Sequence, residues 1–240
     1  MQKILKFEGG WHGLHDYAMV GNWRLPSEQP YPSPPPDVGG IPEGALRSVL
    51  VAPFDDLDRT ARIAGAHADD LAAIIVEPLQ RAVRPKPGFL AGLRELAHRH
   101  GALLVFDEVV TGFRLAYGGA REHYGVLPDL AVYGKALTAG FPPAAIAGRA
   151  DVMATADPRR KGSLDYAALS GTLSGHALAC ASERALRAAD SARATQFALE
   201  LVHRGIFTLP GTKLYLSLAH TEADVDRTLD VMEDVLRVIR

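Results

Sequence analysis

Between residues 48 and 148, short apolar runs alternate with stretches whose apolar positions recur at helical spacing. The runs are SVLVA (48–52), AAIIVEP (72–78), ALLVFDEV (102–109), LAVYGK (130–135) and AAIAG (144–148), each of strand length and rich in Val, Ile and Leu. Between the second and third lies GFLAGLRELAHRHG, in which Phe89, Leu93, Leu96 and His100 recur at helical spacing and Gly101 offers a left-handed C-terminal cap. Strand, helix, strand predicts a parallel sheet with right-handed crossovers. Strands apolar on both sides belong in the middle of such a sheet, under helices on both faces, so the expected fold class is α/β with a mostly parallel sheet.

The flanks read differently. Arg24 to Gly44 holds seven of the sixteen prolines, which opposes helix and ladder pairing and predicts a long irregular loop, a lid or a linker. Past the core, SGHALACASERALRAAD (174–190) reads as a helix and KLYLSLAH (213–220) as a strand. A last helix should start at Thr221, with a T-x-x-D capping pattern and an apolar stripe at Val225, Leu229, Met232, Leu236 and Ile239. The expected division is a large domain over 1–190 and a small C-terminal α/β piece over 191–240, with no internal repeat.

Bulk properties narrow the function. A chain of 240 residues with 48% hydrophobic content can bury a substantial core. Lys plus Arg (26) nearly balances Asp plus Glu (28), so no basic surface points to nucleic acid or anionic membrane. The single Cys180 cannot form an internal disulfide, no apolar run approaches the roughly 20 residues of a membrane span, and the start, MQKILKFEGGWHG, lacks the continuous apolar stretch of a signal peptide. A cytoplasmic protein handling a small molecule is the expectation, with no nucleic-acid or membrane partner.

In an open parallel sheet, ligands bind beyond the carboxyl ends of the strands. Three successive runs end in Glu77, Asp107 and Lys135. A charge after a strand is commonly just the first solvated loop position, but acid, acid and lysine on three consecutive strands weaken that reading. Side chains alternate, so Asp107 and Val109 face one side and Glu108 the other. A carboxylate and a branched apolar side chain together suit a flat heteroaromatic ring, one at a ring nitrogen and one on the face. A lysine buried at the next strand end supplies an amine nucleophilic toward an aldehyde. Together these describe a site for pyridoxal 5′-phosphate. A nucleotide-binding Rossmann domain is disfavoured, because no strand is followed by G-x-G-x-x-G. The histidines show no metal-ligand spacing, and no metal is assigned.

FDEVVTGFR, PDLAVYGKALTAGFPPAAIAG and GTLSGHALACA resemble the ring-nitrogen, lysine and phosphate-contact motifs of the class III aminotransferases. The resemblance runs nearly end to end. It is strongest to the glutamate-1-semialdehyde aminomutase group, through GGWHG and SLAHTEADVD. It implies the large domain of the fold type I pyridoxal-phosphate transferases in incomplete form, and a transaminase or aminomutase acting on a small amino acid or amino aldehyde. It further implies that Lys135 carries the cofactor as an imine and shuttles protons, that Asp107 pairs with the ring nitrogen, that Val109 packs on one ring face, and that Trp11 stacks on the other. Such stacking is worth about 1 kcal/mol beyond area burial. Glu77 is implied as a supporting acid. Gly171 and Thr172 are implied at the phosphate, of the neighbouring subunit's cofactor in a homodimer. The bland alternatives are a core aromatic at Trp11 and a plain helix N-terminal residue at Thr172.

The chain also departs from the family pattern. The Ser-Gly-x-x-Ala-type phosphate turn has no counterpart before FEGGWHG, EPLQRAVRPKPGF lacks the glycine-rich turn after Glu77, and the region from 189 to 207 is short. The competing expectation is therefore a shortened, catalytically impaired relative that keeps the fold as a binding or non-functional remnant.

Overall fold

The structure is a computed structural model, and it describes residues 2–23, 31–138, 144–170, 196, 200–201, 203–204 and 222–238. The chain divides into two compact units, Met1–Tyr133 with Ala145–Leu169, and Gly134–Ala144 with Ser170–Arg240.

The first unit is built on six strands: β1 (Lys3–Phe7), β2 (Val49–Ala52), β3 (Leu71–Val76), β4 (Leu103–Glu108), β5 (Leu130–Tyr133) and β6 (Ala145–Gly148). They form one sheet in the order β2-β1-β3-β4-β5-β6. The first five are parallel and β6 runs antiparallel to β5, so the sheet is mostly rather than wholly parallel. Its helices are α1 (Glu43–Arg47), α2 (Leu57–Ala66), α3 (Phe89–Arg99), α4 (Ala120–Tyr124) and α5 (Ala150–Met153). Asp56 starts α2 by accepting the Arg59 N–H at 2.9 Å, and Gly101, with φ +65°, follows α3 in the expected left-handed conformation. Phe7, Phe54 and Phe89 meet edge to face, with ring centroids 5.3 to 6.1 Å apart, in a core completed by Leu93, Leu104 and Phe106.

β1 is the strand that the hydrophobic pattern missed, because KILKF carries lysine at both ends of its apolar run. Lys6 is nonetheless buried, 1% exposed, and its Nζ donates to the carbonyls of Ala18 (2.9 Å) and Val20 (2.8 Å) and to Asn22 Oδ1 (2.7 Å). Burial lowers its pKa to about 8, while Asp37 and Glu77 act in the opposite direction. The ammonium thus ties the loop after β1 back onto the strand. The described part of the proline-rich segment is also not wholly unpaired. Val51 N–H donates to Pro32 O at 2.8 Å, and Val20 and Pro36 form an isolated antiparallel bridge.

In the second unit, Lys135–Thr138 form a 3-10 turn and α6 spans Glu222–Val238, close to the expected start. Of the expected stripe, Met232 packs with Val231 against the buried pair Leu201 and Val235, while Leu236 is 64% exposed. The predicted helix over 174–190 and strand over 213–220 lie outside the described residues. Among the described residues no helix is long and apolar enough to cross a membrane.

The sheet is bolted by Asp129, whose side chain is fully buried. It accepts the Leu104 N–H at 2.8 Å and meets Arg94 of α3 at 2.5 Å and Arg149, just past β6, at 3.0 Å. Burial alone would raise its pKa, but these donors outweigh it and hold the carboxyl at about 2. A depressed carboxyl contributes stability above its unfolded pKa and loses it as pH falls through the folded value. Asp129→Asn is expected to lower stability by about 2–3 kcal/mol at neutral pH, with the gap to wild type closing between about pH 4 and pH 2. Urea titrations across that range measure it.

Candidate active site

Three parallel strands deliver their carboxyl ends to one place. β1 leads into a loop carrying Trp11 and His12, Glu77 directly follows β3, and Asp107 is the penultimate residue of β4. β1 neighbours β3 and not β4, so His12 reaches past the end of β3 to arrive at Asp107. Its Nδ1 lies 2.8 Å from Asp107 Oδ2, and both side chains are nearly buried, 6% and 11% exposed. The second carboxylate oxygen, Oδ1, accepts the Val109 N–H at 3.1 Å. Asp107 is therefore gripped at both oxygens, by an imidazole and by the backbone of the residue expected beside it.

Glu77 stands next to this pair. It accepts the Trp11 N–H at 2.9 Å, which fixes the backbone that carries both the indole and His12. Burial raises the Glu77 pKa and Asp107 adds to the rise, against the Trp11 N–H and His12. The Trp11 ring is 37% exposed and lies 6.4 Å from the Trp23 ring, so it presents a face at the surface and is no core aromatic.

Glu108 takes the other side of β4, as alternation requires. It is fully buried and accepts from Thr111 Oγ1 (3.0 Å), Ala120 N–H (2.6 Å) and Arg121 N–H (3.4 Å), so it holds the loop after β4 closed against the start of α4. Gly119, with φ +73°, passes so close that a Cβ there would sit 2.3 Å from Glu108 Oε2. The adjacent acids of DEVV thus divide the work, Asp107 facing the candidate site and Glu108 holding the loop.

Lys135 lies in the second unit and opens the 3-10 turn two residues past β5. It is exposed, where the strand-end reading expected a buried amine. The reason is that β5 ends at Tyr133, so Lys135 belongs to the turn and not to the strand. Its φ of +45° is unusual for a non-glycine residue, the kind of backbone strain that concentrates at functional positions. Gly171 and Thr172 lie outside the described residues. Among the described residues no cluster of His, Cys, Asp and Glu could hold a metal ion.

The sequence reading missed two residues. For His12 the sequence offers no metal-ligand spacing. Its position beside Trp11 in GGWHG was the available signal, but its partner is 95 residues away. Gln80 gives no signal in a segment whose sequence shows only the lack of a glycine-rich turn. Instead, Gln80 and Val83 pair through N–H···O bonds of 3.2 and 2.8 Å across a two-residue turn, with Arg81 at φ +48° and Ala82 at φ +70°. That is a turn which ordinarily recruits Gly, Asn or Asp. Gln80 Nε2 donates to Glu8 O at 2.7 Å.

The sequence comparisons agree with one another. The family model for aminotransferase class-III matches residues 1–203. A glutamate-1-semialdehyde 2,1-aminomutase of Desulforudis audaxviator is 35% identical to this chain, over 98% of the chain and 67% of that protein. That alignment runs over 300 positions, more than the 240 of this chain, so segments of the relative have no counterpart here. A second, from Symbiobacterium thermophilum, is 42% identical over 73% of the chain and 39% of its own length. This chain thus spans about two thirds of the first relative and about two fifths of the second. Among solved structures, an omega-transaminase from Sphaerobacter thermophilus superposes with TM-score 0.68 and 29% identity, over 98% of this chain and 68% of that one. The sheet that ends in Glu77 and Asp107, the family model spanning most of the sequence and these relatives all lead to one assignment: the chain belongs to the class-III aminotransferases.

Proposed function

We propose that the chain is a transaminase or aminomutase acting on a small amino acid or amino aldehyde, with glutamate-1-semialdehyde aminomutase chemistry as the nearest activity. The class-III family depends on pyridoxal 5′-phosphate. The observation that carries the reading is the Asp107 carboxylate, held at one oxygen by His12 and at the other by the Val109 N–H, at the carboxyl end of β4. A carboxylate fixed this way fits the edge of a nitrogen heterocycle, and the partly exposed Trp11 indole fits its face.

When bound, the cofactor supplies an electron-accepting ring that stabilises negative charge on a substrate carbon. Asp107 would hold a proton at the ring nitrogen through a charge-assisted hydrogen bond, with His12 keeping the carboxylate from rotating away. Val109 and Trp11 would hold the ring, one on each face. Glu77 fixes the Trp11 backbone. Lys135 would provide the amine that anchors the cofactor and the base for a proton at the substrate α-carbon. Gly171 and Thr172 would supply donors to the phosphate, that of a neighbouring subunit's cofactor if the chain forms a homodimer. A cytoplasmic location accords with the lone Cys180.

The second reading, a shortened relative that keeps the fold without catalysis, is favoured by the segments of the relatives that have no counterpart here. Two measurements separate them. Wild-type chain mixed with pyridoxal phosphate should gain a visible absorbance that survives dialysis, and Lys135→Ala should lose it; no stable absorbance in wild type supports the second reading. Asp107→Asn should retain covalent attachment but lose about 3 kcal/mol of transition-state stabilisation, roughly a hundredfold in kcat. Unchanged turnover in that variant would reduce Asp107 to a strand-end charge.

A further inference from the structure

His12 and Gln80 each bury a polar atom that has no partner among the described residues: His12 Nε2 and Gln80 Oε1. Both lie beside Gly10. The position that a Cβ on Gly10 would occupy is 3.2 Å from His12 Nε2, 3.4 Å from Gln80 Oε1 and 3.0 Å from Phe7 O. A third such atom, Arg94 Nη1, faces the Asp129 carboxylate, so His12 Nε2 and Gln80 Oε1 are set apart by lying together beside one glycine with no charged partner, an arrangement that the cost of burying unpaired polar groups ordinarily removes.

The chemistry of the two atoms can be assigned. Gln80 Nε2 donates to the carbonyl of Glu8, which cannot donate in return, so the amide is oriented with Oε1 toward His12. The His12 nitrogen facing a carboxylate, Nδ1, carries the hydrogen it donates to Asp107. In the neutral ring Nε2 is then an acceptor. Two acceptors facing one space are satisfied together by one double donor, and a single water giving one hydrogen to each does so. The turn that presents Gln80 holds Arg81 and Ala82 at positive φ, a strain that an ordinary surface hairpin has no reason to keep. Arg81 itself is turned away, donating to Asn22 O at 3.3 Å and lying over the Trp23 ring, while Glu77, the other acid near His12, is engaged by the Trp11 N–H.

We infer that Gln80 is a positioning residue: through one bridging water it holds His12 in the Nδ1–H tautomer that donates to Asp107, so the turn after Glu77 sets the orientation of the carboxylate. Its consequence for catalysis rests on the proposed role of Asp107 at the cofactor ring; the tautomer itself does not. Gly10 belongs to the same device, since a methyl there would intrude on the space that the two side chains share.

The test reads the ring directly. The full chain labelled with ¹⁵N-histidine, without cofactor, gives two-bond ¹H–¹⁵N correlations that distinguish the tautomers, with the His12 signals identified by their loss in His12→Gln. Wild type should show the Nδ1–H form alone. Gln80→Met, which keeps the size and removes the acceptor, should give a mixture of tautomers, and Gly10→Ala should do the same without altering Gln80. A wild-type ring in the Nε2–H form overturns the inference before any variant is made, as does an unchanged pattern in whichever variant folds. In cofactor-loaded protein, Gln80→Met should also shift the pH profile of the cofactor absorbance, in parallel with Asp107→Asn. A chain that takes up no cofactor yet shows the expected tautomers refutes the proposed function and leaves this inference standing.

Discussion

Two adjacent carboxylates cannot both be buried at the end of a strand unless each finds donors, and this requirement organises the region around β4. Alternation sends Asp107 and Glu108 to opposite sides. Glu108 is satisfied locally, by Thr111 and by the first backbone N–H groups of α4, which closes the loop that follows the strand. Asp107 takes one local donor, Val109 N–H, and one distant donor, His12. Without the distant donor the carboxylate could rotate. With it, one face of the sheet end is fixed.

The distant donor depends in turn on a lysine. His12 lies on a loop that must turn over the ends of β1 and β3, and beyond the buried Ala18, Met19 and Val20 it is tied down by polar contacts. The buried Lys6 ammonium gathers the carbonyls of Ala18 and Val20 and the side chain of Asn22, whose amide then reaches Asp37. A hydrogen bond from Gly9 N–H to Gly21 O at 2.7 Å closes the base of the loop. A charged residue inside a central strand is costly in isolation, and three acceptors in a fixed cage offset the cost. The strand that looks least like a strand therefore supports the site most directly.

The first unit holds rigid and strained parts side by side. Glu77 and Asp107 sit on or directly after strands, where ladder hydrogen bonds fix the backbone. The Arg81–Ala82 turn takes backbone conformations that side chains disfavour. Such conformations persist only where the surroundings over-determine them. In the turn, the two Gln80–Val83 hydrogen bonds and the contact of the Gln80 amide with Glu8 do so.

From sequence alone, the apolar runs located four strands of the parallel sheet and the antiparallel β6 to within one or two residues, and the Phe89–Arg99 helix with its glycine stop was legible. The positions of Glu77 and Asp107 at strand ends, and of Asp107 and Glu108 on opposite sides, followed from length and alternation. These are local properties, because the repeat of a strand or helix is written into neighbouring residues. β1 was not legible, since its central lysine is buried by contacts with residues 18 to 22 that no periodicity reveals. The direction of β6 and the turn of α6 that buries Val235 and exposes Leu236 were not legible either, because both depend on what packs alongside. The pairing of His12 with Asp107, and the approach of Gln80 to both Glu8 and His12, required the order β2-β1-β3-β4, which brings segments far apart in the chain to one sheet edge. The chemical identity of each group was fixed by its own residue, but its partner was fixed by strand order, and only the folded sheet specifies that.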